Sequence, residues 1–412
     1  MIGPAPLTLV VQADRNLGWT GGRSSRFVVA TISAAAAASS DTPDEPNNIA
    51  AVFDASSDTA RLQGAQILTR VLPRLRALDR LAVISAGAEG TIELPSTPMD
   101  KEGRARVTEA LEGLPRSSAL ALADGWFAGA QALAPHTRPG VHNRILVFAS
   151  GWVTHGPSTP TEIARFSAGL ASRGVGTTAI GLGGPVDYAL LAAMDSDSAR
   201  SPLVRYADSL DEMAQVIVTR DLRVVPAVVE DAELEVTLPD GFMVSLAGDE
   251  LGFGTNPARI RLGTLRAGET VRVVFRISLP STNQTEVALP PVRFRLCAHE
   301  TVSRAPVMAN GQVVFTLVPG ARNEGQMIFP ETARIAASAW LSRVVHQAIA
   351  AATAGDRPAL DRLQRTQFRY FRPYVDRLST GPLLIEQFSA VFEAIRSRWR
   401  QQPSASGTSV RL

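Results

Sequence analysis

Apolar residues along this chain change their period twice. From Leu7 to Ala13 and from Arg26 to Ser33 they form short runs rich in Val, Leu, Ile and Thr, separated by Gly18 and Gly21-Gly22, which predicts two strands around a turn. Ala34 to Asn48 is alanine and serine followed by Asp41-Thr42-Pro43-Asp44-Glu45-Pro46, a composition with little to bury and hence a linker or exposed loop. From Asn48 strand-like runs alternate with amphipathic helical stretches, the pattern of an α/β sheet with helices on both faces. The strand Ile49 to Phe53 leads to a helix from Thr59 to Leu78, and Leu81 to Ser85 is the next strand. Helices at Lys101 to Leu111 and Ala121 to Leu133 precede Arg144 to Ala149, a run apolar nearly throughout, as central strands of parallel sheets tend to be. Thr159-Pro160-Thr161-Glu162 is a capping box with proline at the first helical position, and Gly174 supplies the stop. Val175 to Leu182 is a strand, and Ser209-Leu210-Asp211-Glu212 caps a helix running to Val218.

After Arg220 the helical period gives way to short strands at Ala232 to Leu238, Phe242 to Leu246, Arg259 to Leu262, Thr270 to Leu279, Val292 to Leu296 and Gln312 to Val318. Pro239-Asp240-Gly241 and Leu265 to Glu269 read as hairpin turns between them. Strands in regular succession imply a β-sandwich. The two early strands have no partners nearby in sequence, so they are expected to complete this sandwich, with the α/β unit inserted between its parts. From Glu331 the chain is helical again: Glu331 to Thr353, Ala359 to Phe371 ended by Pro373, and Leu383 to Arg400. The expected layout is sandwich strands in 1–34, a linker in 35–47, the α/β domain in 48–219, the sandwich in 220–322, a helical region in 325–402 and a frayed tail in 403–412.

Composition narrows the functions. The formal net charge of +2 over 412 residues gives no strong overall field toward nucleic acid or an anionic membrane. Cys297 is the single cysteine, so an internal disulfide and a cysteine-built zinc site are both excluded, and a reducing compartment is expected. The N-terminal Met1-Ile2-Gly3-Pro4-Ala5-Pro6-Leu7 lacks a basic and apolar leader pattern, and no uncharged stretch reaches the roughly 18 residues of a membrane span. A soluble, cytoplasmic protein is the expectation.

The segment Ala50-Ala51-Val52-Phe53-Asp54-Ala55-Ser56-Ser57-Asp58 is an apolar run that breaks into a polar loop opening a helix. It resembles the first strand and loop of the von Willebrand factor A (vWA) family, in which D-x-S-x-S supplies oxygen ligands to a magnesium or manganese ion. Arg74 to Ile84 looks like that family's second strand with its lead-in, and Ile180-Gly181-Leu182-Gly183 like the end of its fifth. The resemblance covers roughly Asn48 to Thr219, and the flanking strands are similar to bacterial vWA proteins in which a β-sandwich surrounds the A domain. It implies a doubly wound, mostly parallel sheet with a metal-ion-dependent adhesion site at its C-terminal edge, and a protein-binding role.

Mapped onto that site, Asp54 and Ser56 match, and Asp58 stands where the second serine belongs. The threonine position falls on Leu120 when aligned on Asp124-Gly125-Trp126, and a two-residue shift brings Ser118 there instead. Ser150, after Val147-Phe148-Ala149, replaces the second acidic residue. Magnesium and manganese take hard oxygen ligands, usually including one or two carboxylates. One firm carboxylate, with Asp58 as substitute, is a degenerate set, so a metal-free contact surface is expected. A further alternative is that Asp54 merely caps the following helix. Trp152 and His155, in the loop Gly151 to Pro157, are the candidate partner contacts, Trp152 either as an interface anchor or packed over its own sheet edge.

Enzyme signatures are thin. The chain has no G-x-S-x-G elbow, no G-x-x-x-x-G-K-[ST] phosphate loop and no H-E-x-x-H. Gly181-Leu182-Gly183-Gly184-Pro185 lacks the third glycine of a dinucleotide fingerprint. Ser56, His155 and Asp124 make a triad only by assembling unrelated loops, which is the basis of a hydrolase alternative. Arg362, Arg365, Arg369, Arg372 and Arg377, interleaved with Phe368, Tyr370, Phe371 and Tyr374, are either a nucleic-acid surface or, as the helical spacing favours, a core stripe with solvated arginines. The sequence therefore points to a non-enzymatic adaptor that binds another protein, such as an ATPase or an assembly component, with no membrane or nucleic acid as partner and no cofactor. The alternative is a working magnesium-dependent site that captures a partner's carboxylate.

Overall fold

The computed structural model describes residues 6–36, 45–150, 153–182, 188–194, 210–222, 225–246 and 256–401. Four sheets and ten α-helices account for most of them. The expected mixed architecture is present: a largely parallel sheet flanked by helices, additional antiparallel sheets, and a helical C-terminal region.

The α/β unit contains β4 (Asn47–Asp54), β5 (Arg80–Ala86), β6 (Gly90–Pro98), β7 (His142–Ala149) and β8 (Val175–Gly181). Preceding it are β1 (Leu7–Ala13), β2 (Leu17–Trp19) and β3 (Ser24–Ala34). The sheet order is β6-β5-β4-β7-β8, with only the edge strand β6 antiparallel. All eight residues of β4 are buried, because helices cover both faces. On one face Ile49, Ala51 and Phe53 meet α1 (Asp58–Val71), while on the other Ala50 and Val52 meet α3 (Leu122–Leu133). Between them α2 (Lys101–Glu112) packs with α1. Close approach is built in by glycine: a Cβ at Gly64 on α1 would lie 2.8 Å from Phe148 Cβ, and one at Gly125 on α3 would lie 2.5 Å from Ala86 Cβ. Helices α4 (Pro160–Ala171), α5 (Tyr188–Met194) and α6 (Leu210–Val216) complete the unit.

Some local expectations are corrected. The first helix stops at Val71 rather than Leu78, since Pro73 allows only a 3₁₀ turn over Leu72–Arg74. β6 escapes the hydrophobic pattern because it is an exposed edge strand interrupted by Pro95, a residue tolerated only at such edges. Ser209, the expected cap of α6, and the tail at 403–412 lie outside the described residues, as does most of the linker.

The remaining strands are β9 (Ala227–Thr237), β10 (Met243–Leu246), β11 (Ala258–Arg266), β12 (Thr270–Leu279), β13 (Val287–Ala288), β14 (Val292–Glu300), β15 (Pro306–Val313) and β16 (Thr316–Val318). They form a sandwich with the early strands. One sheet is β1-β3-β12-β10, the other β11-β9-β14-β15, with a small β13-β16-β2 sheet beside them. The turns at Pro239 to Gly241 and Leu265 to Glu269 are not hairpins. Each carries the chain from one sheet to the other, since β9 and β11 pair in one sheet while β10 and β12 pair in the other. Turn chemistry reverses the chain in both arrangements and does not choose between them. Across the sandwich Phe275 meets Phe294 edge to face at 5.5 Å.

The C-terminal helices α8 (Pro330–Thr353), α9 (Arg357–Val375) and α10 (Gly381–Gln401) follow the short α7 (Gly320–Glu324). They pack on the outer face of the first sheet, where Phe27 and Val274 join Trp340 and Tyr374. α9 continues past Pro373 to Val375, because a proline in the last turn removes a single helical hydrogen bond. At this junction the fully buried Asp14 accepts from Phe27 N–H, Tyr374 O–H and Arg15 Nε. Burial lifts the Asp14 carboxyl above its ordinary 3.8, outweighing the lowering by Arg15 and Arg26. Arg26, itself desolvated, falls to about 10 and stays charged.

A raised folded-state value means that the folded chain holds this proton more tightly than the unfolded one. The contribution of Asp14 to stability is then greatest below 3.8 and falls as pH rises through the folded-state value. In urea unfolding between about pH 4 and about pH 7, Asp14→Asn should gain stability relative to wild type as pH rises. Parallel stability profiles for the two proteins would contradict this.

Candidate functional site

The strand order sets the site. The chain enters at the central strand β4, builds outward through β5 and β6, and then returns to the other side of β4 with β7 and β8. The order reverses between β4 and β7, and open α/β sheets hold ligands in the crevice beyond the carboxyl ends of the strands at such a point. Asp54 ends β4, and Ser150 follows the last residue of β7.

Here the crevice is closed by the chain itself. The Asp54 side chain is fully buried. Its Oδ1 accepts from Ser56 N–H at 2.9 Å and Ser56 Oγ at 2.6 Å, and its Oδ2 from Ser150 N–H at 3.0 Å and Ser150 Oγ at 2.7 Å. A carboxylate offers about four acceptor directions, and these four donors use them. Asp54, Ser56 and Ser150 are therefore brought together. Asp54 does not cap α1, because Ser57 does so, accepting from Ala60 N–H.

Asp58 and Ser118 are not part of this cluster's hydrogen bonds. Asp58 opens α1 and its carboxylate sits between two guanidiniums, Arg61 Nη2 at 3.0 Å and Arg116 Nε at 3.2 Å. Ser118 is exposed on the loop before α3, while Leu120 is buried. Leu120 N–H donates to Thr154 Oγ1 at 2.8 Å, and its carbonyl accepts from Thr154 N–H and His155 N–H. His155 is exposed, with Nδ1 2.9 Å from Thr154 Oγ1. Trp152 lies outside the described residues, as do Gly151 and Gly183 to Pro185. Sequence reasoning missed Arg61, Arg116 and Thr154. The Asp58–Arg61 spacing of i, i+3 was the available signal for the first.

The expected ligands are engaged within the chain. Asp54 supplies one carboxylate whose oxygens are each taken by two hydrogen bonds, Asp58 is held by arginines, and Ser150 adds a neutral hydroxyl. Among the described residues no three His, Cys, Asp or Glu side chains gather as metal ligands do. Nor do hydrogen bonds among them join Ser56, His155 and Asp124, since Ser56 turns to Asp54 and His155 to Thr154.

A central strand ending in Asp-x-Ser, flanked in the order β6-β5-β4-β7-β8, decides the fold of this unit. It is a vWA-like fold. No family profile and no curated protein matches the chain. Similar solved structures include a von Willebrand factor type A protein from Catenulispora acidiphila, at 14% identity over 96% of this chain and 91% of that one, with a TM-score of 0.43. Another is the ArnB paralogue VWA2 from Sulfolobus acidocaldarius, at 11% identity over 95% and 98% of the two chains, with a TM-score of 0.40. Proximal thread matrix protein 1 of the mussel byssus, with a zinc-occupied MIDAS motif, matches 46% of this chain and 50% of its own at 13% identity and a TM-score of 0.37.

In the vWA-like unit the missing second carboxylate is a reversible feature. Ser150→Asp removes the hydroxyl that donates to Asp54 and sets a second negative group against it, so it should lower stability by about 1–3 kcal/mol in chelator. Manganese at about 100 times its dissociation constant should restore about 2.7 kcal/mol in this variant and leave the wild-type thermal midpoint unchanged. An equal manganese response in wild type would contradict the reading of the site.

Proposed function

We propose that this chain is a non-enzymatic protein-interaction module whose vWA-like unit binds a partner protein without a metal, through shape and side-chain contact at the crown of the sheet. The supporting observation is that every acceptor direction of Asp54 is used by the chain's own serines. A partner's carboxylate captured through a shared metal would have to displace those bonds. Exposed groups offered for recognition beside Asp54 include Ser118, His155 and Arg116, the last paired with Asp58, with Ser118 and His155 on loops stitched together by Thr154 and Leu120. Trp152, next in sequence to this surface, is the further contact we assign on composition alone.

The resemblance to bacterial vWA proteins suggests an adaptor for an ATPase or another component of a multiprotein assembly, working in the cytoplasm. Among the described residues no helix is long and apolar enough to cross a membrane. No cofactor enters this reading, and the Ser56 and His155 side chains are engaged elsewhere rather than with each other.

Affinity purification with the intact chain as bait tests it. A specific partner should be retained equally in magnesium and in chelator, and lost with Arg116→Glu combined with His155→Ala. Retention that depends on magnesium and disappears in chelator would overturn the proposal.

A further inference from the structure

The C-terminal helices carry a charge that the rest of the chain does not. Between residues 330 and 401 eleven arginines stand against six aspartates and glutamates, a net of +5 in a chain whose total is +2, which leaves −3 elsewhere. α9 concentrates it. Its inner face is apolar: Leu360, Phe371 and Val375 are fully buried, Tyr374 is nearly so, and Phe368 packs on Phe388 of α10.

The outer face is a ridge of arginine. Arg362, Arg365 and Arg369 are exposed at i, i+3 and i+7, and so follow one another on consecutive turns over about 10 Å of helix axis. Neighbouring arginines are neutralised locally, Arg372 by Asp376 and Arg396 by Asp361. Among the described residues no carboxylate pairs with Arg362, Arg365 or Arg369. The Arg369 guanidinium instead lies 5.7 Å over the ring of the exposed Tyr370. Like charges at these spacings repel and cost the isolated helix some stability, a cost that an anionic occupant would reverse.

We infer that this ridge docks an acidic segment of a partner protein, one presenting Asp or Glu side chains at matching intervals. The guanidinium fork fits a carboxylate through two parallel hydrogen bonds, and a helical spacing of i, i+3 and i+7 matches the same spacing of acids on a facing helix. Other occupants fit less well. Single-stranded nucleic acid needs aromatic faces to stack its bases, and Phe368, Phe371 and Tyr374 are turned into the bundle while Tyr370 already lies under Arg369. A membrane surface needs large apolar side chains beside the basic ones, and the ridge offers only Tyr370. The ridge shares no residue with the crown of the sheet, so this inference stands or falls apart from the metal-free docking proposed above.

The test measures binding of the full chain to a short fluorescein-labelled polyglutamate peptide and to an oligothymidylate of equal charge, by anisotropy at low salt. Polyglutamate should bind, and the triple variant Arg362→Gln, Arg365→Gln, Arg369→Gln should weaken it about ten-fold with an unchanged circular dichroism spectrum. Arg322→Gln, at an exposed arginine already paired with Glu286, should leave the affinity as it was. Replacing the same three residues by lysine keeps the charge but not the fork, and should give an affinity between those of wild type and the glutamine variant; lysine binding no tighter than glutamine would also overturn the inference. No polyglutamate binding, an affinity indifferent to the triple glutamine variant, or tighter binding of oligothymidylate that the same variant abolishes would each overturn the inference.

Discussion

A single buried carboxylate organises the crown of this protein. Asp54 sits at the end of the central strand, fully buried, where an unpaired charge would be very costly. The chain meets that demand with two backbone N–H groups and two serine hydroxyls, from Ser56 on its own loop and from Ser150 across the switch point. These contacts tie the ends of β4 and β7 together and hold the 55–57 loop in the conformation from which Ser57 caps α1. Ala55 is fixed further by its N–H to the Ala86 carbonyl and by its own carbonyl, which accepts from Ser117 N–H. The loops at this end of the sheet are thus joined by hydrogen bonds.

Other buried aspartates in the chain are used the same way. At the opposite edge of the sheet Asp79 accepts from Asn47 N–H, Arg76 N–H and the Arg76 guanidinium. Asp221 pairs with Arg144 at 3.1 Å and accepts from Thr178 Oγ1. Each carboxylate joins segments distant in sequence, and each is compensated by internal donors. Asp54 likewise joins two strand ends through internal donors.

Much of this was legible in the order of residues. The unbroken burial of β4 follows from Ile49 to Phe53, and the loss of the second carboxylate is visible at Ser150 itself. The helical spacing places Phe371 and Tyr374 in the bundle core and the arginines in solvent as expected, whereas Tyr370, expected in the same stripe, is exposed and lies under Arg369. What sequence could not show is long-range pairing. Arg116 meets Asp58 only because the loop before α3 folds over the start of α1, and Leu120 meets Thr154 only because that same loop converges with the one after β7. The chain reversals near Gly241 and Gly268 follow the same logic, since a turn's residues specify the reversal while the pairing of β10 with β12 and of β12 with β3 sets which sheet receives the next strand.

Metal-free recognition at the crown depends on Asp54 belonging to the protein rather than to an ion. Anomalous diffraction from crystals of the wild-type chain soaked in manganese tests this most directly. The expected map shows Asp54 bonded to Ser56 and Ser150 with no anomalous peak between them. A strong peak with octahedral coordination by Asp54 and Ser56 would contradict it.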